Sequence, residues 1–139
     1  MIENTLQQLF QQYLSAFRVY DLAGVTDCYH IPCTLNTPDN LVLIDSEEKC
    51  QQEFLAIFEQ LKQANTQKIV AQKVSYQAMT PSVSLVCIDW VFFDNNEQIF
   101  ADFSAVYHVE SVGSSHKIIN VASHDLTHSL NLAHSFTLS

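Results

Sequence analysis

Glycine and proline are scarce in this chain, at 2 and 3 of 139 residues. That excludes collagen-like and low-complexity architectures, and a hydrophobic content of 47 % excludes disorder. Basic residues are few as well: 6 Lys+Arg stand against 15 Asp+Glu, giving a formal charge of −9 at pH 7. They form no cluster, and a nucleic acid or an anionic membrane would need one to meet its phosphates. No apolar run approaches the roughly 20 residues of a membrane span. The opening MIENTLQQLFQQYL has no basic segment ahead of an apolar one, so it does not read as a secretory signal. Cys28, Cys33, Cys50 and Cys87 include no Cys-x-x-Cys and match no zinc ligand set. They are expected to be free thiols of a cytoplasmic protein. Glycine-rich phosphate loops and nucleophile motifs are missing too.

What is present runs on two periods. Leu6, Leu9, Phe10, Tyr13, Leu14, Phe17 and Tyr20 recur at steps of three and four between glutamines, which predicts an amphipathic helix. Asp21 suits the N-cap of a second helix over 22–30, which Pro32 closes. CTLNTPDNLVLID reads as two short strands around a Pro38-Asp39-Asn40 turn. Asp45 or Ser46 can cap a third helix whose Cys50, Phe54, Ile57, Phe58 and Leu61 share a face. From Lys68 the period falls to two, and KIVAQKVSYQAM, SLVCIDWVFF, EQIFADFSAVYHVE and SSHKIINVASHDL read as four successive strands joined by tight turns.

Helices followed by a meander of strands, within one domain over 1–139, make an α+β arrangement. SLVCIDWVFF is apolar on both faces, with Val86, Ile88, Trp90 and Phe92 on one and Leu85, Cys87, Val91 and Phe93 on the other. Helices can cover one face only, so a homodimer through the outer sheet face is expected. The tail over 126–139 keeps Leu130, Leu132, Phe136 and Leu138, and is expected to pack on the domain or on a second subunit.

Ionisable residues placed mid-strand are the candidates for chemistry, because an unpaired buried charge is costly. Asp102 and Ser104 share a strand face with Phe100, Val106 and His108. If that face lines a pocket, desolvation raises the Asp102 pKa and makes it a general base; at a sheet edge it is an ordinary exposed acid. Both readings stand on the sequence. Asp89 points away from Trp90 and can pair across strands with Lys73 or Lys117. His30 and His124 can carry a proton near neutral pH. His124 and His128 would share a metal only on a helix, and no metal is expected.

FQQYLSAFRVYDLAGVTDCYH, CTLNTPDN, EEKCQQEFLAIF, FADFSAVYHVE and HKIINVASHDL, in this order, resemble the nuclear transport factor 2-like superfamily. That superfamily also holds SnoaL-like polyketide cyclases, ketosteroid isomerases, scytalone dehydratase and limonene epoxide hydrolase. The resemblance covers nearly the whole chain. It implies three N-terminal helices packed on a curved, mainly antiparallel sheet, forming a cone with an internal pocket. Tyr13 stands where ketosteroid isomerases place a tyrosine donor, and Thr37 where they place their aspartate base, a role threonine cannot fill. Their second donor falls at about Ser104 or Ala105. The arginine of the epoxide hydrolases would have to be Arg18, which lies near a helix end.

The expectation is therefore a protein that binds a small, largely apolar molecule without a cofactor. Its pocket would be lined by Tyr13, Phe17, Tyr29, Trp90 and Phe100, with Thr37 and Ser104 as polar contacts. The alternative is a cofactor-independent lyase, isomerase or hydrolase, with Asp102, His30 or His124 as base and Tyr13 as donor to a developing oxyanion. A third reading is a dimeric assembly module with a filled pocket.

Overall fold

Leu6, Phe10, Tyr13, Leu14 and Phe17 form the buried face of helix α1 (Ile2–Arg18), as their spacing predicts. The structure, a computed structural model, describes residues 2–139. Tyr20 takes a left-handed conformation (φ 56°) that turns the chain out of α1. The Asp21 carboxylate then accepts the Gly24 amide at 3.1 Å and caps α2 (Leu22–Thr26). This helix is shorter than the predicted 22–30. Gly24, Val25 and Thr26 are weak helix formers, and the Ile118 amide donates to the Cys28 carbonyl at 2.8 Å. Pairing with a distant strand therefore takes over, and β1 (Tyr29–Thr37) begins where the helix was expected to continue.

β1 turns at Pro38-Asp39 into the antiparallel β2 (Asn40–Ile44). Ser46 caps α3 (Glu47–Gln63), its hydroxyl oxygen accepting the Lys49 amide at 3.2 Å. Glu47 and Glu48 in the first turn and Lys62 in the last complement the helix dipole. Four long strands follow: β3 (Thr66–Thr80), β4 (Val83–Asp94), β5 (Ile99–Val112) and β6 (Ser115–His124). A two-residue β7 (His134–Ser135) closes the count. The sheet runs β2-β1-β6-β5-β4-β3-β7, antiparallel throughout except where β1 lies parallel to β6. Three helices on a mainly antiparallel sheet make it α+β.

Register shifts lie within the β3–β4, β4–β5 and β5–β6 ladders. Such bulges bend strands and increase their twist, and the bent sheet folds round α1 and α3. Trp90, Tyr107, Val109, Ile118 and Val121 belong to the core together with Phe10, Phe54 and Phe58.

The opposite, convex face of β4 carries Cys87, Asp89 and Val91, and all three are buried. The chain itself supplies part of their cover. After β6 a single 3-10 turn (Leu126–His128) leads the C-terminal segment over the convex face. Ser129 donates to both oxygens of Asp89 at 2.8 Å, and Ser75 bonds Leu130 and Leu132. The strap then pairs with the β3 edge as β7 and buries Phe136 against Tyr76. It finishes on α1, where Gln11 and Arg18 hold Ser139. The expected tail thus packs on its own domain, over part of the face that a second subunit was expected to cover.

Lys73 sits opposite Asp89 in the β3–β4 register, but the ion pair is relayed. The Lys73 ammonium donates to Ser129 Oγ at 3.1 Å, and Ser129 donates onward to Asp89. Ser104 Oγ also donates to Asp89 at 2.8 Å. Replacing Asp89 with alanine leaves the Ser104 and Ser129 hydroxyls without their acceptor and the Lys73 ammonium without the charge it is relayed to, at a cost of about 2 kcal/mol. Hydrogen exchange should show amide protection lost first over 129–135; protection that stays unchanged there would mean the Asp89 contacts do not hold the strap.

Candidate functional site

Between α1, α3 and the concave face of the sheet lies a cavity of about 340 Å³. Its floor is aromatic: Tyr13 and Phe17 from α1, Tyr29 from β1, Phe54 from α3, Trp90 from β4 and Tyr107 from β5. The helical period brings Tyr13 and Phe17 one above the other, and strand alternation turns Trp90 and Tyr107 inward with the rest of the core. At the mouth stand Asn36, Thr37 and Gln60, all exposed, together with Phe100. Phe100 is the extra residue of the β4–β5 register shift, where Phe92 faces Ala101 and Phe93 faces Ile99. That bulge lets Phe100 and Ala101 reach the cavity side by side.

The buried polar atoms of the floor satisfy one another. The Trp90 indole donates to Tyr107 Oη at 2.9 Å, and Tyr13 Oη lies 3.0 Å from Tyr29 Oη. Burial holds the phenol pKa values of Tyr13, Tyr29 and Tyr107 well above their ordinary range, and the neighbouring phenols and thiols add to the shift. These tyrosines are neutral donors and acceptors, never phenolates, at physiological pH. The lining among the described residues otherwise consists of hydrocarbon, amide and hydroxyl groups, with no carboxylate, imidazole, amine, guanidinium or thiol.

The predicted ligand contacts Tyr13, Phe17, Tyr29, Thr37, Trp90 and Phe100 all line this cavity. Ser104 does not. It is buried on the convex face, donating to Asp89 and lying 3.3 Å from the Cys87 sulfur. Asp102 shares that strand face, opposite Val91, and is exposed; its reading as a pocket base is corrected here. The reason lies in the register, since β5 turns Phe103, Ala105 and Tyr107 inward and so sends residues 102, 104 and 106 outward. His30 follows the inward Tyr29 and bonds the Pro32 carbonyl through Nδ1 at 3.0 Å. His124 faces out opposite Ser104, its Nε2 bonding the His128 carbonyl at 3.0 Å. None of the three expected acid–base residues lines the cavity. The i, i+4 pair His124 and His128 stands with ring centroids 6.2 Å apart, and no cluster of three or more metal-binding side chains occurs among the described residues.

Sequence reasoning passed over Tyr107, Phe103, Phe92 and Phe54 as lining groups. A signal for the first two was available. The odd positions of β5 carry Phe103, Ala105, Tyr107 and Val109, a more apolar set than the even ones, which marks the odd face as the core side. Phe100 pointed the other way because a bulge separates it from the parity of its strand.

The sequence model described as NTF2-like protein (DUF6841) matches residues 3–126. The chain belongs to this NTF2-like family. A comparison with proteins of curated function finds no match. Among solved structures, an NTF2-like protein of unknown function from Shewanella oneidensis superposes with TM-score 0.74 at 12 % identity, over 90 % of this chain and 100 % of the other. An NTF2-like protein with a cystatin-like fold from Novosphingobium aromaticivorans gives TM-score 0.75 at 6 % identity, over 91 % and 83 %. A ketosteroid isomerase-like protein from Erwinia carotovora gives 0.68 at 12 %, over 88 % and 95 %. At these identities the likeness shows the NTF2-like cone fold and nothing finer. The strap beyond residue 126 lies outside the family match.

Proposed function

We propose that this NTF2-like protein binds a small, largely apolar molecule in its cone cavity. One observation carries the reading: the described lining is aromatic and aliphatic with neutral polar groups only, and Asp102, His30 and His124 all lie outside it. General acid–base catalysis needs a titrating group within hydrogen-bond reach of the reacting atom. A buried phenol with a raised pKa can donate to an oxygen but makes a poor base at neutral pH. The composition of the lining therefore supports binding over turnover. The volume sits at the small end of the range for ligand sites, and aromatic walls with a few polar groups are their usual make-up.

The chain's single tryptophan, Trp90, forms part of the cavity wall, so its fluorescence reports occupancy directly. Protein purified from its own host is expected to carry a compound that native mass spectrometry detects at one per chain and that denaturation releases. Extraction should then change Trp90 emission, and returning the compound should restore it. Protein that arrives empty and whose Trp90 emission ignores a panel of apolar molecules would refute binding.

A further inference from the structure

Polar groups in the cavity divide by depth. Those of the floor are engaged with one another, Trp90 with Tyr107 and Tyr13 with Tyr29. The uncommitted ones stand at the other end. Tyr29 opens β1, whereas Asn36 and Thr37 close it. Ser123 is the last residue but one of β6, and Gln60 lies in the last turn of α3. All four line the cavity. Three elements therefore run out at one rim, and each ends there in a neutral hydrogen-bonding side chain. The Thr37 hydroxyl donates to the Asn40 carbonyl at 3.4 Å. The side-chain amides of Asn36 and Gln60 and the Ser123 hydroxyl make no hydrogen bond to another described residue.

We propose that the cavity takes a single-ended neutral amphiphile, its hydrocarbon or aryl end on the aromatic floor and a primary amide or hydroxyl group at the mouth, bonded to Asn36, Gln60 and Ser123. This rests on the reading of the cavity as a ligand site. A polar group carried down to the floor has to break a pair already made or stay buried without a partner, and either is costly. At the mouth the same group meets free donors and acceptors. A ligand amide suits them, because the amides of Asn36 and Gln60 each offer both functions. A charged headgroup is disfavoured. The described lining holds no cation for an anion and no carboxylate for an ammonium, and the chain's formal charge of −9 repels anions. The floor suits an aryl end, since the rings of Tyr13, Phe17 and Trp90 offer edges and faces to stack on. Asn36, Gln60 and Ser123 thus fix specificity and orientation. Sequence reasoning named Thr37 and Ser104 as the polar contacts and none of these three.

Bromine at either end of a probe reads the orientation, because it quenches indole emission only at contact range and Trp90 is the chain's single tryptophan. In 4-(4-bromophenyl)butanamide the bromine is remote from the amide; in 2-bromo-5-butylbenzamide it is beside it. Bound to the full chain, the first is expected to quench Trp90 well beyond its bromine-free counterpart, and the second to match its own. Calorimetric titration of 4-phenylbutanamide should show affinity falling about three- to tenfold in Asn36→Ala/Gln60→Ala and in Ser123→Ala. Butylbenzene affinity should hold in both, which together with circular dichroism establishes a folded chain and an intact cavity. The 4-phenylbutanoate anion should bind more weakly than the amide. Quenching by the bromine beside the amide, a tighter anion, or amide affinity unchanged in both variants each overturns the inference while leaving the binding site standing. Failure of every amide and of butylbenzene to bind overturns the inference together with the reading beneath it.

Discussion

Raising the pH from 9 to 11 is expected to unfold this protein. Burial pushes the thiols of Cys28 and Cys33 up to about 12, and it holds the phenols of Tyr13, Tyr29 and Tyr107 well above their ordinary value. In the unfolded chain the thiols ionise near pH 9 and the phenols near pH 10. The sign follows from linkage. Above those values the unfolded state sheds protons that the folded state keeps, so stability is fully present below pH 9 and falls as pH rises. The thiol contribution is exhausted only near the folded value of about 12. Each group costs roughly 1–2 kcal/mol per pH unit within its window. By pH 11 the two thiols alone remove roughly 5 kcal/mol, which matches the whole stability of a marginal domain, and the phenols add to it. Urea midpoints measured at intervals of pH, with tyrosinate absorbance followed in parallel, should show the decline starting near pH 9 and steepening near 10. A Cys28→Ala/Cys33→Ala variant should delay the onset by about one pH unit. A flat profile to pH 11 would mean that these groups reach solvent in the native state.

Phe54→Ala is expected to cost about 3–5 kcal/mol, the range for emptying a buried aromatic site. Phe54 is 1 % exposed and packs on Tyr29 and Phe17, so the vacated space opens directly onto the cavity. The neighbouring Leu55 is 47 % exposed, and Leu55→Ala should stay within about 0.5 kcal/mol. The two variants differ by one step along α3 and therefore separate wall from surface on the same helix. Chemical denaturation reads both. A Phe54→Ala cost near that of Leu55→Ala would mean that the wall collapses into the cavity without loss, and that the cavity is not a rigid container.

The helices and most strands were legible because their cause is local. Leu6, Phe10, Leu14 and Phe17 announce α1 by spacing alone, and Ser46 caps α3 in the structure as its position suggests. The aromatic floor was partly legible too, since Tyr13, Phe17, Tyr29 and Trp90 are large apolar residues in elements that had to bury a face. Asp102 and Ser104 were misplaced for a reason specific to strands. A period of two offers two faces, and a shift of one residue exchanges them. Phe100 is an unreliable guide to that choice because it occupies a bulge.

The sequence by itself determined that the fold is α+β, with aromatic residues to bury, few and unclustered basic residues and no apolar run long enough to span a membrane. Those properties depend on composition and on periods of 3.6 and 2, which a linear reading can count. Only the tertiary structure decided which face of β5 is concave, that β1 lies parallel to β6, and that the strap turns back to bond Asp89. It also brought Trp90 to Tyr107 and Tyr13 to Tyr29, pairs whose members come from four separate elements. Contacts between residues far apart in the chain depend on how bent strands and helices close on one another, and local propensity carries no information about that closure.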